Sequence, residues 1–80
     1  MSYEDFYKLV YKLIDGLNEK AHLDAARELD DALISGSTAR EIFGLLLFTL
    51  KQIEPSIRSD ASLLKQVQFQ IKALEEALGM

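Results

Sequence analysis

The sequence predicts an all-α fold, an up-down bundle of three or four helices, on three observations. Apolar residues recur at helical spacings of three and four along most of the 80-residue chain. Only four glycines and one proline are present to interrupt helices. The connections between periodic segments are short, which favours successive antiparallel helices. We therefore expect one helical-bundle domain over residues 1–80.

Helix 1 is predicted over about residues 3–17, because Ser2 with Asp5 three residues later is a loose capping pattern before an apolar run at helical spacing. Asn18 can cap a second helix over about 19–34. The buried stripe of helix 1 would contain Tyr3, Phe6, Val10, Leu13, Ile14 and Leu17. The buried stripe of helix 2 would contain Ala25, Ala26, Leu29 and Leu33.

Helix 3 has the clearest boundaries and is predicted over about 39–53. Ser35 and Gly36 form a stop, in which the glycine is expected to adopt the left-handed conformation. Thr38 with Glu41 is a capping box that restarts the helix at once. Pro55 disfavours a helical conformation at the residue before it and so ends the helix.

Helix 4 is predicted over about 57–78 and carries an apolar seam with alternating steps of three and four. The seam consists of Leu64, Val67, Ile71, Leu74 and Leu78, with Ile57 one heptad earlier. At about 1.5 Å per residue, helix 4 would be about 30 Å long and the other helices about 22 Å. We expect part of the seam to project beyond the bundle and to favour a homo-oligomer such as a dimer.

Composition and charge exclude several classes of function. The net charge of −4 repels a phosphate backbone and argues against nucleic-acid binding, while it favours a basic protein partner. The absence of cysteine removes disulfides and thiolate chemistry. No secretory leader is recognisable, and the longest apolar run is about half of the roughly 20 residues that span a bilayer. We expect a cytoplasmic protein without a membrane span.

No residue pattern supports catalysis, so the sequence predicts neither an enzyme nor a cofactor or metal site. His22 is the only histidine, and a zinc site would need three further ligands. Asp24, Glu28 and Asp31 resemble a carboxylate cluster, but Arg27 is spaced to pair with two of them. A solvated charged face is the simpler interpretation.

The hairpin from Ala32 to Ile42 is the basis of an alternative interpretation, a helix-turn-helix DNA-binding regulator. Ala32, Gly36 and Ile42 have the spacing of that motif. A recognition helix presents polar or basic side chains to DNA. Here the second helix offers only Arg40 before a run of leucine and phenylalanine, which argues against this alternative.

Aromatic residues outside the predicted seams indicate a protein-interaction surface. Tyr7 and Tyr11 follow Tyr3 at steps of four along one edge of helix 1, and tyrosine is enriched at interfaces. Phe69 projects opposite the seam of helix 4. We predict Tyr7, Tyr11 and Phe69 as anchors for a partner. The residues predicted to steer a basic partner are Asp24, Asp30 and Asp31.

Two alternatives stay open for these faces. The tyrosines can simply shield the rim of the bundle. Leu45 and Phe48 lie off the main stripe of helix 3, which indicates assembly through a second apolar face, unless helix 3 is central and surrounded.

The segment from Leu29 to Ile42, a leucine-rich helix followed by Ser-Gly-Ser-Thr and then Glu-Ile, resembles a helix hairpin of small bacterial all-helical proteins, some of which resemble immunity proteins of toxin systems. The resemblance covers about a fifth of the chain. It implies a helical fold and an immunity or antitoxin-like inhibitor that binds another protein. Where those proteins often continue with a basic helix bearing tryptophan, this chain continues with Leu45 to Phe48.

Overall fold

The computed structural model describes residues 2–80, and Met1 lies outside the described residues. The described chain is an all-α bundle, which confirms the predicted class. Its helices are α1 (Tyr3–Glu19), α2 (Leu23–Ser35), α3 (Ala39–Ile53) and α4 (Ala61–Ala77), with one turn of 3₁₀-helix at Glu54–Ile57.

The four helices form the four corners of a bundle. Each helix packs mainly against the next helix along the chain, and α4 packs back against α1. The α2–α3 side and the α1–α4 side therefore face in opposite directions. The bundle measures 30 × 21 × 20 Å, so these two sides are about 20 Å apart.

The core is apolar and is supplied by all four helices. Five of the six residues predicted for the stripe of α1 are buried, whereas Tyr3 remains exposed. The largest apolar side chains that are fully buried are Val10, Leu13, Leu17, Leu29, Leu46, Leu50, Ile57, Val67 and Leu74. Their burial supplies most of the stabilisation of so small a domain.

The connection between α1 and α2 differs from the prediction. Asn18 does not cap α2 but lies within α1, and α2 starts at Leu23 instead of residue 19. The N–H of His22 donates to the carbonyl of Leu17 at 2.8 Å, and the N–H of Ala21 donates to the carbonyl of Asn18 at 3.1 Å. This is a Schellman motif, in which Ala21 holds the left-handed position with φ 65°.

Gly36 stops α2 for a different reason from the one predicted. Its φ of −91° and ψ of 151° are extended and not left-handed. A Cβ at this position would lie 2.8 Å from Cγ1 of Ile42 and 2.9 Å from its backbone nitrogen. Glycine is therefore required by the close approach of the chain to the start of α3.

The predicted cap of α3 by Thr38 is confirmed, whereas the carboxylate of Glu41 bonds to Ser37 and not to the backbone of Thr38 as a capping box requires. The backbone N–H of Glu41 donates to Oγ1 of Thr38 at 3.2 Å. The carboxylate of Glu41 in turn accepts hydrogen bonds from the backbone N–H and the hydroxyl of Ser37, both at 3.1 Å. The helix begins at Ala39 and ends at Ile53, as predicted. The predicted reason for its end is wrong, because Glu54 before Pro55 keeps helical dihedrals, with φ −50° and ψ −48°, and the chain continues as the 3₁₀ turn.

Helix α4 starts later than predicted, at Ala61 instead of residue 57. Residues 54–57 form the 3₁₀ turn, and Asp60 caps α4 by accepting the backbone N–H of Leu63 at 3.1 Å. This hydrogen bond lowers the pKa of Asp60, and Lys20 at 3.6 Å acts in the same direction.

The length of α4 also differs from the prediction. Both α1 and α4 contain 17 residues, about 25 Å. The predicted difference in length between α1 and α4, on which the overhang of the seam depended, is therefore absent.

The buried face of α4 is rotated from the predicted seam. Val67 and Leu74 are buried as expected, but the seam residues Leu64, Ile71 and Leu78 are only partly buried. Leu63 and Gln70 complete the buried face instead. The amide Nε2 of Gln70 donates to the carbonyl of Leu9 at 3.1 Å and so joins α4 to α1.

Candidate protein-interaction surfaces

The α2–α3 side carries an apolar groove whose rim is acidic. Phe48 is 61% exposed and Leu45 is 39% exposed, although both lie in the middle of a helix of a folded domain. The groove is lined by Glu28, Asp31, Ala32, Ser35, Leu45, Phe48, Thr49 and Gln52. We call this surface the acidic groove. Its apolar floor and charged edge have the composition of a protein-binding surface.

The charge of the acidic groove is not neutralised within the chain. Asp24, Glu28 and Asp31 are spaced at four and then three residues, so they share one flank of α2. Among residues 2–80 the ion pairs are Lys20 with Asp60, Lys51 with Glu75, and Arg58 with Glu54. The predicted pairing of Arg27 with the α2 carboxylates is absent from these described residues. This flank therefore presents negative charge to a partner.

Gly44 lies on the same exposed surface of α3, one turn before Phe48. A Cβ built at Gly44 meets no atom within 4 Å. Glycine inside a helix costs about 1 kcal/mol relative to alanine, and the fold of the single chain does not require it. A glycine at this position leaves room for another backbone to approach α3 closely.

The α1–α4 side carries a second groove of opposite charge. Phe69 is 55% exposed and projects away from the buried face of α4, as predicted. The groove is lined by Leu9, Lys12, Lys65, Gln66, Phe69 and Gln70. We call this surface the basic groove, because both charged residues in its lining are lysines.

Further charges surround the basic groove along the two helices. Lys72 follows Phe69 by three residues and adds a third positive charge. Asp5 and Glu76 lie beyond Phe69, toward the first turn of α1 and the last turn of α4. At the other end of the same side, a neighbouring groove shares Lys12 and Gln66 and contains Asp15, Glu19 and Asp60. The positive charge is therefore confined to the immediate surroundings of Phe69.

A third groove lies between α1 and α2 and contains Asp30. It is lined by Ile14, Asn18, Leu23, Ala26, Arg27 and Asp30. Tyr11 is 54% exposed and precedes Ile14 by three residues, which places it on the same flank of α1. Leu23 and Ile34 add exposed aliphatic surface on α2. Arg27 and Asp30 give this groove a mixed charge.

Tyr7 belongs to an aromatic cluster at one end of the bundle. The ring of Phe43 is at the centre of this cluster. Its centroid is 6.1 Å from that of Tyr7, 5.3 Å from that of Phe6 and 5.2 Å from that of Tyr3. Tyr7 is partly buried against the core. These contacts, two edge-on and one tilted, stabilise the junction of α1 and α3, so the rim-shielding alternative describes Tyr7 better than it describes Tyr11.

The six predicted partner-binding residues thus lie on different sides of the bundle. Phe69 is in the basic groove, Asp30 lines the α1–α2 groove, and Asp31 lines the acidic groove. Asp24 shares the flank of Asp31, Tyr11 borders the α1–α2 groove, and Tyr7 packs against Phe43.

Sequence reasoning did not assign Lys12 or Glu28 to a partner surface. Lys12 lies beside Phe69 only because α1 packs against α4, and Glu28 lies beside Phe48 only because α2 packs against α3. A helical projection of α2 would have grouped Glu28 with Asp31, because the two residues share a flank. No projection of a single helix would have placed Lys12 beside Phe69.

His22 is partly exposed, precedes α2, and makes no capping hydrogen bond with its side chain. Within residues 2–80 no three histidine, cysteine, aspartate or glutamate side chains lie close enough together to hold a metal ion.

No helix within residues 2–80 has both the length and the apolar character needed to cross a bilayer.

Comparison with known proteins gave no family model, no curated protein and no solved structure that matches this chain.

Proposed function

We propose that this protein is a non-enzymatic interaction module that binds a basic protein surface through the acidic groove. The observation that carries the proposal is the exposure of Phe48 and Leu45 next to the carboxylates of Glu28 and Asp31. Of the three predicted acidic residues, Asp24 and Asp31 belong to the flank of the acidic groove, whereas Asp30 lines the neighbouring groove.

The energetics favour a partner that buries both apolar side chains. Complete burial of a phenylalanine or leucine side chain contributes about 1.5–3 kcal/mol. Phe48 is 61% exposed, so its burial would contribute about 1–2 kcal/mol. The carboxylates at the rim would mainly raise the association rate and select against acidic partners.

The shape of the groove favours an amphipathic helix as the partner element. A helix binds a groove between two helices through apolar anchors spaced three and four residues apart, and Gly44 leaves room for its backbone. Lysine or arginine beside the anchors would then meet Glu28 and Asp31. An immunity or antitoxin-like inhibitor that covers a basic toxin surface is one concrete form of this function.

A DNA-binding role is less well supported by the surface of α3. The outward face of the second hairpin helix carries Leu45 and Phe48, with Glu41 one turn earlier. A recognition helix needs polar or basic groups in that position. We therefore advance only the protein-binding function.

The test uses two synthetic helical peptides with the same apolar stripe, one flanked by lysine and one by glutamate. We expect the wild type to bind the lysine peptide at least about tenfold more tightly, with an affinity that falls as salt increases. Phe48→Asp should abolish this binding. Tyr11→Asp, which changes an equally exposed aromatic on another side, is the matched control and should bind like the wild type.

Charge reversal checks the electrostatic part of the proposal separately. The double variant Glu28→Lys and Asp31→Lys should prefer the glutamate peptide. Equal affinity of the wild type for both peptides, or unchanged binding by Phe48→Asp, would refute the proposed function.

A further inference from the structure

The structure points to a second copy of this chain as a partner of the acidic groove: we propose that the basic groove of one molecule docks on the acidic groove of the next. This inference rests on the proposed binding role of the acidic groove and names one partner for it. Phe48 and Phe69 are both more than half exposed, and each is bordered by charges of one sign in its groove lining.

The two grooves are complementary in charge. The lining of one groove contains Glu28 and Asp31, and the lining of the other contains Lys12 and Lys65. Contact of either groove with its own counterpart would oppose like charges, which is unfavourable at an interface. Contact between the unlike grooves places the carboxylates of the acidic groove against the lysines of the basic groove, and it buries both phenylalanines.

The position of the grooves determines the kind of assembly. They lie on the α2–α3 and α1–α4 sides, which face in opposite directions. A molecule that uses one groove still presents the other groove to the next molecule. Such a head-to-tail contact is heterologous and does not end at a dimer unless a ring closes. The proposed homo-oligomer is therefore a head-to-tail assembly and not a symmetric dimer.

The area of one side is sufficient for such a contact. A stable interface buries about 800 Å² of each partner, about one sixth of the 5057 Å² surface of this chain. One of the four long sides of the bundle supplies an area of that order. The net charge of −4 opposes association at long range, so the paired grooves must supply a local attraction.

The deciding experiment is complementation between two variants in sedimentation velocity. Phe48→Asp alters only the acidic groove and Phe69→Asp alters only the basic groove. Both side chains are exposed, so both variants should retain the helicity of the wild type by circular dichroism. We expect each variant alone to remain a 9.0 kDa monomer, because each lacks one of the two surfaces that must meet.

An equimolar mixture of the two variants should form a complex of two chains. In that complex the intact basic groove of Phe48→Asp meets the intact acidic groove of Phe69→Asp. The wild type should instead increase in mass beyond two chains as its concentration rises. Added salt should shift this association to concentrations about tenfold higher or more.

Three results would overturn the inference: a wild type that is monomeric at every concentration, a mixture that contains only monomers, or a dimer formed by either variant alone. The last result would indicate a symmetric contact. Peptide binding by the wild type without self-association would refute this inference and leave the proposed function standing. Complementation without preference for the lysine peptide would refute the role toward foreign basic helices.

Discussion

Replacement of Gly44 by alanine should stabilise the isolated chain. Gly44 lies inside α3, and a Cβ there would meet no atom within 4 Å, so the methyl group adds no clash. Alanine is about 0.8–1 kcal/mol more favourable than glycine in a helix interior. For a domain of 60–100 residues, a change of 1 kcal/mol moves the Tm by about 4–8 °C. We therefore expect Gly44→Ala to raise the Tm by about 3–8 °C.

The matched control is Gly36→Ala, which makes the same chemical change where space is lacking. Its Cβ would lie 2.8 and 2.9 Å from atoms of Ile42, so the hairpin must shift. We expect a loss of about 1–3 kcal/mol for such overpacking. Thermal unfolding followed by circular dichroism, at a protein concentration where the wild type is monomeric, measures both variants.

The Tm and the association of Gly44→Ala test two separate statements about Gly44. A lower Tm for Gly44→Ala would refute the statement that the surface of α3 is open around this residue. A higher Tm together with weaker head-to-tail association would indicate that the added methyl group obstructs the approach of a neighbouring molecule. A higher Tm with unchanged association would remove Gly44 from the proposed interface.

Three further changes test other parts of the fold. Ala21→Gly should raise the free energy of unfolding by about 0.5–1 kcal/mol in urea titration, because Ala21 has φ 65° and a left-handed residue other than glycine costs about 1–2 kcal/mol; a loss would contradict the Schellman assignment. Gln70→Met should change the free energy of unfolding by less than about 1 kcal/mol in the same assay, because removal of the buried Oε1, which has no hydrogen-bond partner in the described structure, offsets the loss of the Nε2 hydrogen bond to Leu9; a loss of about 2 kcal/mol or more would mean that this oxygen is satisfied in solution. The pKa of Asp60 is lowered chiefly by the N–H of Leu63. Its contribution to stability is therefore complete above the ordinary value of 3.8 and disappears as pH falls through the lowered pKa. Asp60→Asn should flatten the free energy of unfolding against pH in this range, and an unchanged pH dependence would exclude Asp60 as its source.

In the two proposals, self-association and partner binding both depend on the acidic groove. A basic helix that occupies Phe48 and Asp31 would displace the neighbouring molecule from the same surface. The same substitution, Phe48→Asp, should therefore remove both activities, whereas Phe69→Asp should remove only self-association. This difference allows the two activities to be measured independently in one set of proteins.

The parts of the fold that the sequence determined by itself are those encoded within one or two helical turns. Thr38 and Glu41 are three residues apart and cap α3 by direct contact, so the start of that helix is readable from four consecutive residues. The end of α3 at Ile53 also lies where the sequence places it, although Glu54 keeps helical dihedrals and the chain tightens into the 3₁₀ turn that contains Pro55. The positions of Phe48 and Phe69 outside their apolar stripes also follow from helical spacing alone.

Tertiary structure decided the features that depend on distant parts of the chain. Gln70 is buried because its amide meets the carbonyl of Leu9, 61 residues away, and the buried face of α4 rotates with it. Ala21 adopts a left-handed conformation that its own side chain does not favour, since packing of α2 against α1 requires the turn. The pairing of Lys12 with Phe69 and of Glu28 with Phe48 likewise depends on which helices are neighbours. Local hydrogen bonds and side-chain spacing can be read along a chain, but the environment of a surface is set by residues that meet only when the helices pack.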